Sequence, residues 1–320
     1  MEIDKLYKNC ITAKYGIGDK TIDVTKIVNE KFIVNNNVII PPNCEFNKYF
    51  EDPAVGNIKF LTLQINNKTH IIREGSIATN LIFPINIYHK KITIVYYAFI
   101  NPDNHWEIII SDQLIHLNAC GLLDIAEIYI HVTGPEQYHE YAINVIESII
   151  PQATIYLSIE NQYEYPGIHL VWSLANEKPD NIFLYFHSKG MSYYTTERRE
   201  DERRIFQEVI LQWERVLSIF RDFSVNDPII NKVGFGSSED GFMWFNFWWA
   251  RGSYLIECEE PIISDNRWYY EVWVANKLPD KLPRSSSHDC YSLADNVVGK
   301  IYTGDDICYK INSVTINNQF

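Results

Sequence analysis

The chain is short of positive charge. It carries 28 lysines and arginines against 41 aspartates and glutamates, a formal net charge of -13. A polyanion is held by a basic face, so this balance argues against a nucleic-acid or anionic-membrane surface. It leaves room for one nucleotide in a locally basic pocket. Long hydrophobic runs are also missing. The longest, such as "IVYYAFI", fall well short of a bilayer span, so no transmembrane segment is expected. The opening "MEIDKLYKNC" has no basic stretch followed by an apolar one, so no signal peptide is expected either. Paired cysteines are lacking as well. Cys10, Cys44, Cys120, Cys258, Cys290 and Cys308 lie far apart and form no C-x-x-C or zinc-type spacing. Reduced, mostly buried thiols are the expectation.

What the chain does have is core. Apolar residues make up 46% of its 320 positions, too many for a disordered chain, and the length suggests about two domains. Residues 1–88 read as strands and turns. "KFIVNNNVII" is two β-branched runs around asparagines, and "NIKFLTLQI" and "KTHIIREG" flank a second "NN". No long helical period is visible there, so a small β-sandwich-like module is expected.

Residues 89–320 follow a different pattern. "ITIVYYAF", "EIYIHVTG", "ATIYLSIE" and "NIFLYFH" are short apolar strands, with helical stretches near 104–119, in "EYAINVIESII" and over 166–177. Such alternation predicts an α/β fold with a mostly parallel sheet covered on both faces. Ligands of such sheets sit beyond the carboxyl ends of the strands. That places Phe99, Thr133, Glu160 and the group His187, Ser188, Lys189, Gly190 around one crevice. A single long helix is expected over about 197–223. It opens with "ERREDERR", whose arginines either pair locally, as Glu200 with Arg204, or reach a phosphate.

Four stretches, "YYAFINPDNHWEIIISDQLIHLNACGLLD", "NIFLYFHSKGMSY", "FNFWWARGSYL" and "NRWYYEVWVAN", occur in this order between about residues 90 and 275. With them the chain resembles the GT-A-type glycosyltransferases found in bacterial polysaccharide clusters and large DNA viruses. The H-S-K-G and N-F-W-W motifs are the most telling. The resemblance implies a GT-A-like sheet with a nucleotide-binding first half and an acceptor-binding second half. It implies transfer of a sugar from a nucleoside diphosphate donor, with UDP the expected nucleotide, to a glycan or other hydroxyl acceptor. The implied setting is polysaccharide biosynthesis in the cytoplasm, the host's if the source is viral. The first module, from "ITAKYGIGDK" onward, is similar to small β modules attached to assorted enzymes.

Such a transfer must stabilise a departing diphosphate, by a metal ion, a cationic side chain or backbone N–H groups. The GT-A pattern would put an acid-x-acid metal motif near the strand that ends in "HSKG". A lysine and a histidine repel a divalent ion and attract phosphate. Lys189 with His187 is therefore the expected diphosphate contact, Gly190 allows close approach, and no metal is required. Should Mn2+ or Mg2+ be used, Asp240, His288 and Asp305 are the candidates. Asn246, Trp248 and Trp249 are expected on the acceptor side, where an aromatic face stacks on a sugar, although alternation on a strand puts at least one indole in the core.

Glu271, in its aromatic setting, is the expected general base, with Asp265 and Glu239 as rivals. It also stands four residues from Arg267, where it could simply form an ion pair. Two other readings compete. One is a non-catalytic carbohydrate-binding protein on the same scaffold. The other is a glycoside hydrolase with paired carboxylates such as Glu239 and Glu271, which gives the basic strand-end loop no role.

Overall fold

The computed structural model describes residues 11–34, 37–65, 68–75, 77–84, 92–188, 196–222, 229–281 and 285–316. Lys189 and Gly190 lie outside them. The chain divides into two compact units, Met1–His89 and Lys90–Phe320.

In the first unit, strands β1 (Ile11–Ile17), β2 (Lys20–Asp23), β5 (Phe60–Ile65) and β6 (Lys68–Arg73) form an antiparallel sheet of order β2-β1-β5-β6. Strands β3 (Ile33–Val34), β4 (Asn37–Ile40) and β7 (Leu81–Pro84) form a second antiparallel sheet. Period-two patterning drives this. Ile11, Ala13 and Tyr15 of β1 are buried while Thr12 and Lys14 face out. Both sheets feed one apolar core, where Tyr15, Leu61 and Leu63 cluster with Val38 and Ile40. The core also takes Val28 from a helix, α1 (Thr25–Lys31), in a region that reads as strands and turns. Seven residues are too few to show a helical period.

The second unit is mixed α/β. Its eight-stranded sheet has the order β10-β9-β8-β11-β13-β12-β14-β15, and four of its seven pairings are parallel. The strands are β8 (Ile92–Phe99), β9 (Ala126–Thr133), β10 (Thr154–Ser158), β11 (Ile182–His187), β12 (Lys232–Gly234), β13 (Trp248–Arg251), β14 (Cys290–Ser292) and β15 (Val297–Val298). All six residues of β11 are buried, as are Ile92 to Ala98 of β8, which is why both read as unbroken apolar runs. Helices α2 (Trp106–Ala119), α3 (His139–Ile149) and α4 (Tyr165–Glu177) supply the crossovers. Helix α2 stops where Gly121 takes a left-handed φ of 79°. Pro166 sits in the first turn of α4, where its missing N–H costs nothing.

The long helix expected over 197–223 is two helices, α5 (Thr196–Val209) and α6 (Trp213–Asp222). The break has a tertiary cause. The carbonyl of Val209 accepts Trp249 Nε1–H at 2.8 Å, and Trp213 Nε1–H donates to the carbonyl of Cys120 at 3.0 Å. The Trp249 indole thus satisfies a carbonyl at the end of α5, and the Trp213 indole one at the end of α2. Shorter helices α7 (Gly252–Leu255), α8 (Trp268–Val272) and α9 (Gly304–Asn312) complete the unit. No helix among the described residues is long and apolar enough to cross a membrane.

Candidate functional site

Strand register brings several of the expected residues side by side. Tyr156 of β10 pairs with His131 of β9, His131 with Tyr97 of β8, and Tyr97 with His187 of β11. Partners in register project to the same face. One row of rings therefore crosses the four parallel strands near their carboxyl ends. The next row is Ser158, Thr133 and Phe99. Thr133 Oγ1 and Ser158 Oγ lie 2.7 Å apart, and Thr133 is fully buried. Ser188 closes the end of β11: its N–H donates to the carbonyl of Tyr97 at 2.9 Å, and its Oγ accepts the N–H of Phe99 at 2.9 Å. Phe99, Thr133, His187 and Ser188 are thus assembled at one sheet edge.

Helix α4 covers this face and aims a carboxylate into it. A Cβ on Gly167 would come within 2.6 Å of Tyr97 Cβ and 3.1 Å of the Tyr185 ring, so only glycine lets the helix lie this close. Glu164, the residue preceding α4, then reaches His187: Oε1 lies 3.2 Å from Nδ1. A negative charge at a helix N-terminus is favourable. His187 is 9% exposed, and its other ring nitrogen, Nε2, is buried with no hydrogen-bond partner. When Nδ1–H is donated to Glu164, the Nε2 lone pair is left to take a proton. From the far face, Gln113 Nε2 donates to the carbonyl of His187 at 3.3 Å.

Three more buried polar atoms without partners belong to this neighbourhood, Tyr97 Oη, Tyr185 Oη and Asn246 Nδ2. The Tyr185 ring lies 6.4 Å from that of His187 and 5.2 Å from that of Trp248. Burial, then the nearby Glu164 carboxylate, pushes the Tyr185 phenol well up, so it remains a donor. Asn246 is 1% exposed and its Oδ1 accepts Trp248 Nε1–H at 2.9 Å. Phe245 and Asn246 both have left-handed backbones, φ 72° and 56°. Consecutive non-glycine residues in that region carry strain that the surrounding structure must hold. Each unsatisfied buried group costs about 1–3 kcal/mol, so the four in this neighbourhood point to a polar ligand.

Other expected residues fall elsewhere. Glu160 is exposed and accepts Gln162 Nε2–H at 3.2 Å. Trp248 and Trp249 are both fully buried, with both indole N–H groups bonded inside the protein. This corrects the expectation that one of them offers a face to a sugar: residues of opposite parity on β13 both point into covered layers. Glu271 sits on α8, with Oε1 3.7 Å from Arg267 Nη2. Its neighbour Tyr270 lies 6.4 Å from Tyr165 of α4. Asp265 is exposed in the segment before α8, and Glu239 and Asp240 are exposed in one turn. His288 is exposed beside Ser286, Asp305 occupies the first turn of α9, and Asp306 closes a capping box with Thr303. Among the described residues no three His, Cys, Asp or Glu side chains come together to hold a metal ion.

The arginines opening α5 are held by carboxylates. Arg204 lies 3.1 Å from Glu200, and the buried Arg199 lies 2.5 Å from both Asp112 and Glu202.

Sequence reasoning missed Glu164. An acidic residue before a proline that opens a helix is a readable signal. That it meets the end of β11 is a tertiary fact.

No protein-family model matches the chain, and no curated protein matches it significantly. Among solved structures it is similar to a 4-diphosphocytidyl-2C-methyl-D-erythritol synthase from Anaerococcus prevotii, with 8% identity, 71% of this chain and 98% of that one covered, and a TM-score of 0.34. A second 4-diphosphocytidyl-2C-methyl-D-erythritol synthase aligns at 10% identity over 70% of this chain and 98% of its own, with a TM-score of 0.28. At such scores neither likeness speaks to the activity of this chain.

Proposed function

We propose that the chain is a glycosyltransferase of GT-A-like fold that moves a sugar from a nucleoside diphosphate donor, UDP in first place, to a hydroxyl of a glycan. The observation that carries this reading is the Glu164–His187 pair at the carboxyl end of β11, with His187 Nε2 buried and unpartnered and the Tyr185 ring 6.4 Å from the imidazole. The H-S-K-G and N-F-W-W resemblance points to the same chemistry.

In a direct displacement the acceptor oxygen attacks the anomeric carbon as its proton passes to His187 Nε2. The bond to the diphosphate oxygen breaks, and the nucleoside diphosphate leaves. Glu164 orients the imidazole and stabilises the imidazolium that forms. Tyr185 Oη–H and Asn246 Nδ2–H are donors for an oxygen-rich substrate. Lys189 is assigned to the departing diphosphate, because a cation stands where an acidic metal motif would be expected. Glu271, on the helix beside α4, is the second candidate for the base.

A thermal-shift titration tests the donor. UDP at 100 times its Kd adds about 2.7 kcal/mol of stability. Free uridine is expected to add almost none, since the main attraction is to the diphosphate. Equal shifts with UDP and uridine, or none with either, would contradict the assignment.

A further inference from the structure

Beside the crevice, a cavity of about 550 Å³ runs between α4 and the outer strands β9 and β10. Its volume falls in the range of small-molecule sites. Its floor is the outer part of the ring row. His131 and Tyr156 stack with centroids 6.2 Å apart and planes 15° apart, and Tyr129 lies two residues before His131 on the same face. Tyr165 and His169 of α4, with centroids 5.4 Å apart, form the opposite wall.

The polar lining is mostly neutral, with one carboxylate. Ser158, Gln162, Ser173 and Glu177 line the cavity, and no lysine or arginine does among the described residues. Burial, then the neighbouring His169, pushes the His131 imidazole down to about 4, so it is neutral near pH 7. Lys178, on Tyr129 at the rim, is already committed: its Nζ donates to Tyr129 Oη at 2.6 Å and pairs with Glu127, so a phosphate would find no free cation among the described residues lining the cavity. A sugar would find aromatic faces for its C–H surfaces and neutral hydroxyl and amide partners for its hydroxyls.

We infer that this groove binds a neutral saccharide chain. It rests on the glycosyltransferase reading only for its role, that of an acceptor arm leading to the crevice. The geometry suits that role. Gln162 and Tyr165 line the groove, and between them in the chain stands Glu164, which holds His187. Three strand spacings separate Tyr156 from His187, roughly 14 Å. The aromatic platform sought in "NFWW" is thereby supplied by β9, β10 and α4.

The test is saturation-transfer NMR on the full chain. The probes are neutral trisaccharides of glucose, galactose, mannose and N-acetylglucosamine. At least one is expected to bind. Tyr156→Ala and Ser173→Trp, which remove the platform and fill the groove, are each expected to weaken it by roughly tenfold or more. Leu157→Ala, on the opposite face of β10, is expected to change nothing. Melting temperature confirms folding, and UDP shifts are expected to be the same in all three variants. If no trisaccharide binds, or if binding survives both groove substitutions, the inference is overturned. If saccharide binding behaves as expected but UDP gives no shift, the groove stands and the donor reading falls.

Discussion

His187 Nδ1 lies 3.2 Å from Glu164 Oε1, and this contact joins the end of a buried strand to the start of the helix packed on it. A carboxylate so placed fixes the orientation of the imidazole and leaves Nε2 facing away from it. Glu164→Gln keeps the shape and removes that help. Turnover is expected to fall by about 10–100-fold, with kcat lowered and UDP binding unchanged. An unchanged kcat with a lowered melting temperature would show that Glu164 only supports the fold.

The proposed role of Lys189 leads to a second expectation. Turnover is expected to survive EDTA. Complete loss, restored by manganese, would move the diphosphate contact to a metal and point back to Asp240, His288 and Asp305.

Much of the sheet was legible because its strands are buried on both faces. A run such as "IFLYF", five residues long and apolar throughout, is too short for a helix and fits a covered strand, and register then follows from parallel pairing. The gathering of Phe99, Thr133 and His187 at the carboxyl ends of neighbouring strands was therefore within reach of the sequence. Its chemistry was not. Glu164 acts through a helix start whose approach depends on Gly167 having no Cβ against Tyr97. The tryptophans misled because composition names a residue type and not its depth: Trp248 and Trp249 are core on opposite faces. Tyr129, His131 and Tyr156 alternate visibly along their strands, but only the position of α4 shows which face stays open. The break between α5 and α6 is likewise set by the distant residue Trp249.

Glu202 supplies a pH test of stability. Its carboxyl is 1% exposed, accepts Gln113 Nε2–H at 2.8 Å, and burial pushes it up to about 7 despite Arg199. A folded-state value above the unfolded one means that the native state binds more protons between the two. Stability contributed by this group is therefore fully present below about pH 4.5 and is lost as pH rises to about 7. The loss amounts to roughly 3 kcal/mol at most. Urea denaturation at pH 5 and pH 8 measures it. Glu202→Gln is expected to flatten the difference, and an equal slope in parent and variant would assign it to other groups.

Glu271 separates the two candidate bases. Its ion pair with Arg267 is partly exposed, so Glu271→Gln is expected to change stability by less than about 1 kcal/mol. With His187 as the base, kcat is expected to stay within a few-fold of the parent. A fall of about 10²-fold or more with an unchanged melting temperature would transfer the role to Glu271.

The most direct measurement is release of nucleoside diphosphate from a panel of UDP-, GDP- and dTDP-sugars, without acceptor and with the trisaccharide that fills the groove, by the parent chain and by His187→Ala. The account requires that at least one donor, a UDP-sugar first, is turned over, that the trisaccharide speeds release, and that His187→Ala lowers the stimulated rate by about 10²–10⁴-fold while UDP still raises the melting temperature. No turnover of any donor, or a His187→Ala variant as fast as the parent, would contradict it.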